Sequence, residues 1–174
     1  GGALQTAGSI ERGSTVSDFE AIEKERGHSI DAAIASIDHT APGQPLIHVN
    51  LIDTPGYPDF RGPTLSALAA VETLAVVVDA DAGIGYGTRR MMECARARRL
   101  CRVIVVNKVD HDPGKLGALL DELRETFGNE VLPLNLPTDG GKAVIDCFGK
   151  RTGDSDLGPV DDWHQKIIDQ VVEI

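Results

Sequence analysis

Two apolar runs decide what this chain can fold into. Residues 74–78 (Leu74, Ala75, Val76, Val77, Val78) and 103–106 (Val103, Ile104, Val105, Val106) carry no polar side chain on either face. A strand that is apolar on both sides calls for cover on both sides, the habit of parallel sheets flanked by helices. A helical segment over 89–100, with Met92, Ala95 and Arg99 on a mixed face, separates the runs. Another follows over 116–127, where Leu116, Leu119, Leu120 and Leu123 share one face and Gly128 closes the helix. Strand, helix, strand, helix in this order predicts an α/β domain.

The other segments lie before and after these elements. Residues 1–18 show no period. The charged stretch 19–26 predicts a solvated helical turn. Residues 30–38 alternate, with Ile30, Ala32, Ile34 and Ser36 on one face. Pro42-Gly43 marks a turn, and 46–52 supplies a second strand, so 30–52 reads as a hairpin. Pro63 fits the first turn of a helix over 63–72. Short strands are expected at 131–136 and 143–148, a loop at 149–159, and a last helix over 159–174 with Trp163 as a packing residue.

Composition narrows the function classes. The net charge of −10 argues against whole-surface attraction to nucleic acid, although Arg96, Arg98, Arg99 and Arg102 cluster locally. No apolar run approaches the ~18–20 residues of a membrane span. No signal peptide is visible, and three cysteines give no disulfide framework, so a reducing cytoplasm is expected, with Cys94 and Cys101 as buried inert thiols. The chain does not start with Met, and residue 1 is read as internal to a longer polypeptide. The five histidines lack zinc-ligand spacing.

Two tetrapeptides, each directly after an apolar strand, carry the chemistry. Ligands of open α/β sheets bind beyond the carboxyl ends of strands. In Asp53-Thr54-Pro55-Gly56, the carboxylate can hold Mg²⁺ and the glycine lets a backbone N–H approach a phosphate oxygen. The same residues also make an ordinary turn. In Asn107-Lys108-Val109-Asp110, the Asp110 carboxylate can accept the N1–H and 2-amino group of guanine, a donor pair that adenine lacks. Asn107 can reach the base or neighbouring loops, and the Lys108 stem can lie over the purine. Here too a plain polar loop is the alternative.

The order DTPG, apolar strand, helix, apolar strand, NKVD resembles the G domain of translational GTPases, and within them elongation factor G and its elongation-factor-G-like relatives. Val16-Ser17-Asp18-Phe19, Glu25-Arg26-Gly27-His28-Ser29-Ile30 and residues 53–60 (DTPGYPDF) support the resemblance, which covers roughly 8–148. It implies a P-loop NTPase-type G domain with a mainly parallel sheet, over residues 1–128, and at 129–174 the start of the insertion that elongation factor G carries in its G domain. It implies GTP and Mg²⁺ as ligands. Ser29 and Asp53 would serve the metal, Asp53, Thr54, Pro55 and Gly56 the triphosphate, and Asn107, Lys108 and Asp110 the guanine.

Two departures from the family pattern matter. Tyr57 stands where elongation factor G has a water-positioning histidine; a phenol can hydrogen-bond water but cannot become an imidazolium. And no G-x-x-x-x-G-K-[ST] loop occurs in the 174 residues; residues 1–10 resemble the end of the helix that follows it. The chain is therefore read as a G domain lacking its first strand, P-loop, and last strand and helix. On its own it is expected to be unstable or aggregation-prone, to bind GTP poorly and to be inactive for lack of the P-loop. The parent protein is expected to hydrolyse GTP in a ribosome-linked cycle, with ribosomal RNA as a further contact and no membrane partner. The alternative is a GTP-dependent binding module with little or no hydrolysis.

Overall fold

The computed structural model describes residues 8, 15, 17–41, 43–57 and 61–172. The expectations for residues 1–7, 9–14, 16, 42, 58–60, 173 and 174 fall outside them. The chain divides into two compact units, Gly1–Glu72 and Thr73–Ile174.

In the first unit, α1 (Ala21–Arg26) ends at Gly27, whose φ of 68° lets its N–H close on the Glu23 carbonyl at 2.7 Å. Strands β1 (Ala33–His39) and β2 (Ile47–Asp53) form the expected antiparallel hairpin, with Ala33 opposite Asp53 and His39 opposite Ile47. The buried face differs from the expected one. Ala33 is buried and Ala35 and Ile37 are half-buried, whereas Ile34 is 72 % exposed. Apolar residues stand at both parities here, and an offset of one residue turns every side chain to the other face. Helix α2 (Arg61–Ala67) starts before Pro63 and stops short of the expected residue 72. The segment tightens into three-residue turns, with Ala69 N–H on Ser66 O and Ala70 N–H on Ala67 O.

In the second unit, β3 (Thr73–Asp79) and β4 (Cys101–Asn107) are parallel, joined across α3 (Tyr86–Ala97). The register runs from Thr73 opposite Cys101 to Asp79 opposite Asn107. Val78 and Ala80 are buried, and Ile104 and Val106 pack against the Leu116, Leu119 and Leu123 face of α4 (Leu116–Phe127). The other parity does not meet the expectation of cover, because Val77 is 62 % exposed and Val103 and Val105 are also exposed. An apolar run shows that a strand tolerates cover on both faces; it cannot supply the covering element. The expected mainly parallel sheet is likewise corrected. Among the described residues β3–β4 is parallel and the other three two-stranded sheets are antiparallel, because short connections join antiparallel neighbours.

Beyond α4, β5 (Asn135–Thr138) pairs with β6 (Ala143–Asp146), β7 (Asp154–Ser155) pairs with β8 (Gly158–Pro159), and α5 (Val160–Val172) follows. β5 begins four residues later than the expected 131. Pro133 cannot donate to a ladder, and Val131 and Leu132 serve as core plugs instead. Leu136, Cys147, Val160 and Ile167 form the second core cluster. Trp163 packs against it while its Nε1–H donates to the Leu157 carbonyl at 3.0 Å. Cys147 is buried, but Cys94 is half-buried and Cys101 exposed, so the expectation of two buried thiols at 94 and 101 does not hold.

Candidate functional site

In the first unit, two acidic side chains organise the segment between α1 and β1. Asp18 is 8 % exposed and accepts hydrogen bonds from Ser29 Oγ at 2.5 Å and Thr15 Oγ1 at 2.7 Å. Those bonds, the Ser29 one foremost, hold its carboxyl below the usual carboxylate range despite burial. Glu23 is 1 % exposed, and its Oε1 accepts the backbone N–H of Ile30 at 2.9 Å and of Asp31 at 3.2 Å. Its Oε2 accepts the N–H of Glu20 at 3.1 Å. These bonds, led by that from Ile30, lower its pKa as well.

Ser29 thus sits four residues before Ala33, the partner of Asp53 at the open end of the hairpin. Asp53 is exposed at the last position of β2. Thr54 is half-buried, and the buried Pro55 accepts a hydrogen bond from Thr64 Oγ1 on its carbonyl at 3.4 Å. A Cβ at Gly56 would meet nothing within 4 Å, so local packing makes no demand for glycine there. Tyr57 is 55 % exposed, and its ring lies 4.6 Å, centroid to centroid, from the ring of His28. The hydroxyl of Ser29 and the carboxylate of Asp53 are hard oxygen donors of the type Mg²⁺ takes when it keeps several waters. Among the described residues no cluster of three or more His, Cys, Asp or Glu is placed to hold a metal without such help.

In the second unit, the parallel register sets the site. It brings the ends of β3 and β4 side by side, Asp79 next to Asn107. Lys108 follows in the left-handed region at φ 59°, and its Nζ reaches Asp79 Oδ2 at 2.6 Å. Asp79 Oδ1 accepts the N–H of Asp81 at 2.9 Å and of Ala82 at 3.4 Å. The Lys108 ammonium, aided by the Asp81 N–H, holds the Asp79 carboxyl down, and Asp79 in turn raises the Lys108 pKa. Asn107 Oδ1 accepts the Lys108 N–H at 2.9 Å, and the His111 N–H bonds the Lys108 carbonyl at 3.2 Å. His111 Nδ1 lies 3.0 Å from Asp81 Oδ2. Asp110 is exposed at the tip of this loop. The result is a short loop tied to Asp79 and Asn107 at the strand ends and to Asp81 just beyond β3, with the exposed carboxylate of Asp110 at its tip.

Comparison with known proteins decides the family. Residues 2–170 match the model of the elongation factor Tu GTP binding domain. The chain belongs to this family. Its relatives place it among translational GTPase G domains. It is 31 % identical over 98 % of its length to an elongation factor G-like protein of Mycobacterium tuberculosis, of which it covers 25 %. It is 33 % identical over 86 % of its length to peptide chain release factor 3 of Nitrosomonas eutropha, of which it covers 28 %. A crystal structure of a Thermus thermophilus protein superposes with a TM-score of 0.80 at 32 % identity, over 99 % of this chain and 27 % of that one. The chain therefore spans about a quarter of the length of these relatives.

Within this G domain, sequence reasoning singled out Asn107, Lys108 and Asp110 but missed what holds them. Asp79 was readable as a carboxylate at a strand end. Gly141, whose backbone approaches Val109, and Asp156, which accepts the Gly141 N–H at 2.9 Å, left only a double glycine and an acidic loop as signals. Asp18 stood in text that supported the family resemblance without a role of its own, and Glu23, which is buried, stood in a charged stretch expected to be a solvated helical turn.

Proposed function

We propose that the chain provides the switch segments and the base-reading loop of a GTPase that works in a ribosome-linked cycle, as part of a longer polypeptide. The loop 107–110 carries this reading. A carboxylate at its exposed tip, on a loop tied to two parallel strands, suits recognition of guanine through N1–H and the 2-amino group. Lys108, tethered at its ammonium to Asp79, has its alkyl stem fixed for a purine face. Asn107 braces the loop backbone.

Ser29 and Asp53 would hold Mg²⁺, which when bound offsets phosphate charge during phosphoryl transfer. Thr54 and Pro55 shape the turn, and Gly56 offers its N–H to the terminal phosphate. Tyr57 would position the attacking water, with the His28 ring beside it. The phosphate cradle and its lysine come from outside these 174 residues, which contain no G-x-x-x-x-G-K-[ST]. Residues 1–128 would then be the partial G domain and 129–174 the start of its insertion, with the missing first and last strands completing the sheet. Exposed Arg96, Arg98, Arg99 and Arg102 suit ribosomal RNA, and the cytoplasm is the compartment this role implies. No described helix is long and apolar enough to cross a membrane.

Tyr57 supports a second reading, a GTP-dependent binding module that hydrolyses weakly or not at all. Phosphate release by the full-length polypeptide, with and without ribosomes, separates the two; GTP bound with no release in either case selects the module. The base assignment is tested by Asp110→Asn. Its carboxamide can donate to the 2-oxo group of xanthine, so preference should pass from guanine to xanthine nucleotides by roughly tenfold or more. An unchanged guanine preference would refute the assignment.

A further inference from the structure

We propose that Asp156 is a positioning residue for Asp110, acting through the turn 139–142 between β5 and β6. This rests on the reading above that Asp110 recognises guanine. Three successive residues of that turn lie in the left-handed region: Asp139 at φ 55°, Gly140 at 63° and Gly141 at 77°. Glycine enters this region freely and leaves it as freely, so a fixed turn shape needs something to hold it. The Asp156 carboxylate does so, accepting the Gly140 N–H at 3.3 Å on one oxygen and the Gly141 N–H at 2.9 Å on the other. Asp156 is itself fixed by its own N–H on the Pro137 carbonyl at 2.8 Å, within the tight β7–β8 turn.

The far side of the turn meets the base-reading loop, backbone against backbone. A Cβ on Gly141 would collide with the Val109 carbonyl oxygen and lie 2.9 Å from the Asp110 Cα. No side chain can stand between them. Contacts therefore run without a gap from the Asp156 carboxylate, through Gly140 and Gly141, to the backbone that carries Asp110. Lys108 and His111 also tie the loop to Asp79 and Asp81. The contact with the turn is a separate one, and it depends on an exposed carboxylate. An exposed acidic side chain that caps a glycine-rich turn lying on a recognition loop fits a positioning role.

Freed from that grip, Asp110 would no longer face N1–H and the 2-amino group together. Hypoxanthine lacks the 2-amino group, so the ratio of guanine to hypoxanthine affinity reads the alignment of Asp110. Equilibrium titrations of the full-length polypeptide that carries this chain with GDP and IDP should show about a tenfold preference for GDP in the unaltered protein. In Asp156→Ala the preference should fall below about threefold; Asp156→Asn, with one acceptor oxygen for two donors, should fall between. A general loss of stability would weaken both ligands alike and leave the ratio unmoved, so an unmoved ratio in folded Asp156→Ala overturns the proposal. Should that variant fail to fold, Asp156→Asn decides by its ratio and by amide exchange at His111, which bonds the Lys108 carbonyl; both unchanged overturns it. An unaltered full-length polypeptide that does not distinguish GDP from IDP would instead overturn the guanine reading, and this inference with it.

Discussion

Glu23→Ala should release residues 28–31 from α1. The wild-type carboxylate is 1 % exposed and accepts three backbone N–H groups, from Ile30, Asp31 and Glu20, at 2.9, 3.2 and 3.1 Å. Hydrogen bonds to a charged acceptor net about 1.5–3 kcal/mol each, which gives a ceiling well above what will be measured. Glu20 and Asp31 are exposed, so water replaces much of what they lose; Ile30 is half-buried and recovers least. Removing the carboxylate also removes its own desolvation cost. The net loss should be about 2–4 kcal/mol, against the 5–15 kcal/mol that holds a typical domain. Native-state hydrogen exchange reads this directly. Protection of the Ile30 amide should drop by about 30- to 700-fold in Glu23→Ala. Glu23→Gln keeps an oxygen for Ile30 and Asp31 but turns an NH₂ toward the Glu20 N–H, so its drop should be about tenfold or less. A change under about threefold at Ile30 in Glu23→Ala would refute the claim that this carboxylate holds the segment bearing Ser29.

Acid should weaken the first unit in a defined direction. Asp18 and Glu23 have folded pKa values lowered by their hydrogen bonds, so near pH 4 the unfolded chain takes up protons that the native chain does not. Their stabilisation is complete above the ordinary carboxylate range and is lost as pH falls through the lowered values; thermal midpoints from pH 7 to pH 3 should decline, and less so in Glu23→Gln. A flat profile would contradict this. The cysteines should separate by accessibility. Cys101 is exposed, while burial pushes the Cys147 thiol up and its sulfur bonds the Pro133 carbonyl at 2.8 Å. An aromatic disulfide reagent should label Cys101 quickly and Cys147 only after denaturation; rapid labelling of Cys147 in the native chain would refute its placement.

Much of the element order was legible because local signals agreed with the fold. The leucine spacing and Gly128 give α4 its observed bounds, and the two apolar runs become parallel partners. What escaped was decided by neighbours in space. The face of β1 was ambiguous because alanine and isoleucine occur at both parities. β5 begins late because Pro133 interrupts an otherwise strand-like run. The exposed face of β3 and β4 depends on what covers it, which no strand encodes in its own residues. At the site, residue types that touch a ligand announce themselves by chemistry next to a strand end. Residues that hold them do not: Asp79 lies 29 positions from Lys108, and the contact of Gly141 with Val109 is a backbone approach that only folded geometry exposes.

The distance along the chain between a loop and its brace has a consequence for synthesis. Residues 107–110 leave the exit tunnel well before Asp156, roughly 45 positions later. At ~5–20 residues per second that interval lasts a few seconds. During it α3, β4 and α4 can dock, while the loop still lacks the turn that presses on Val109. A nascent chain would thus acquire β3, β4, α3 and α4 first, and, on the proposed roles, its discrimination between bases only when the β7–β8 turn arrives.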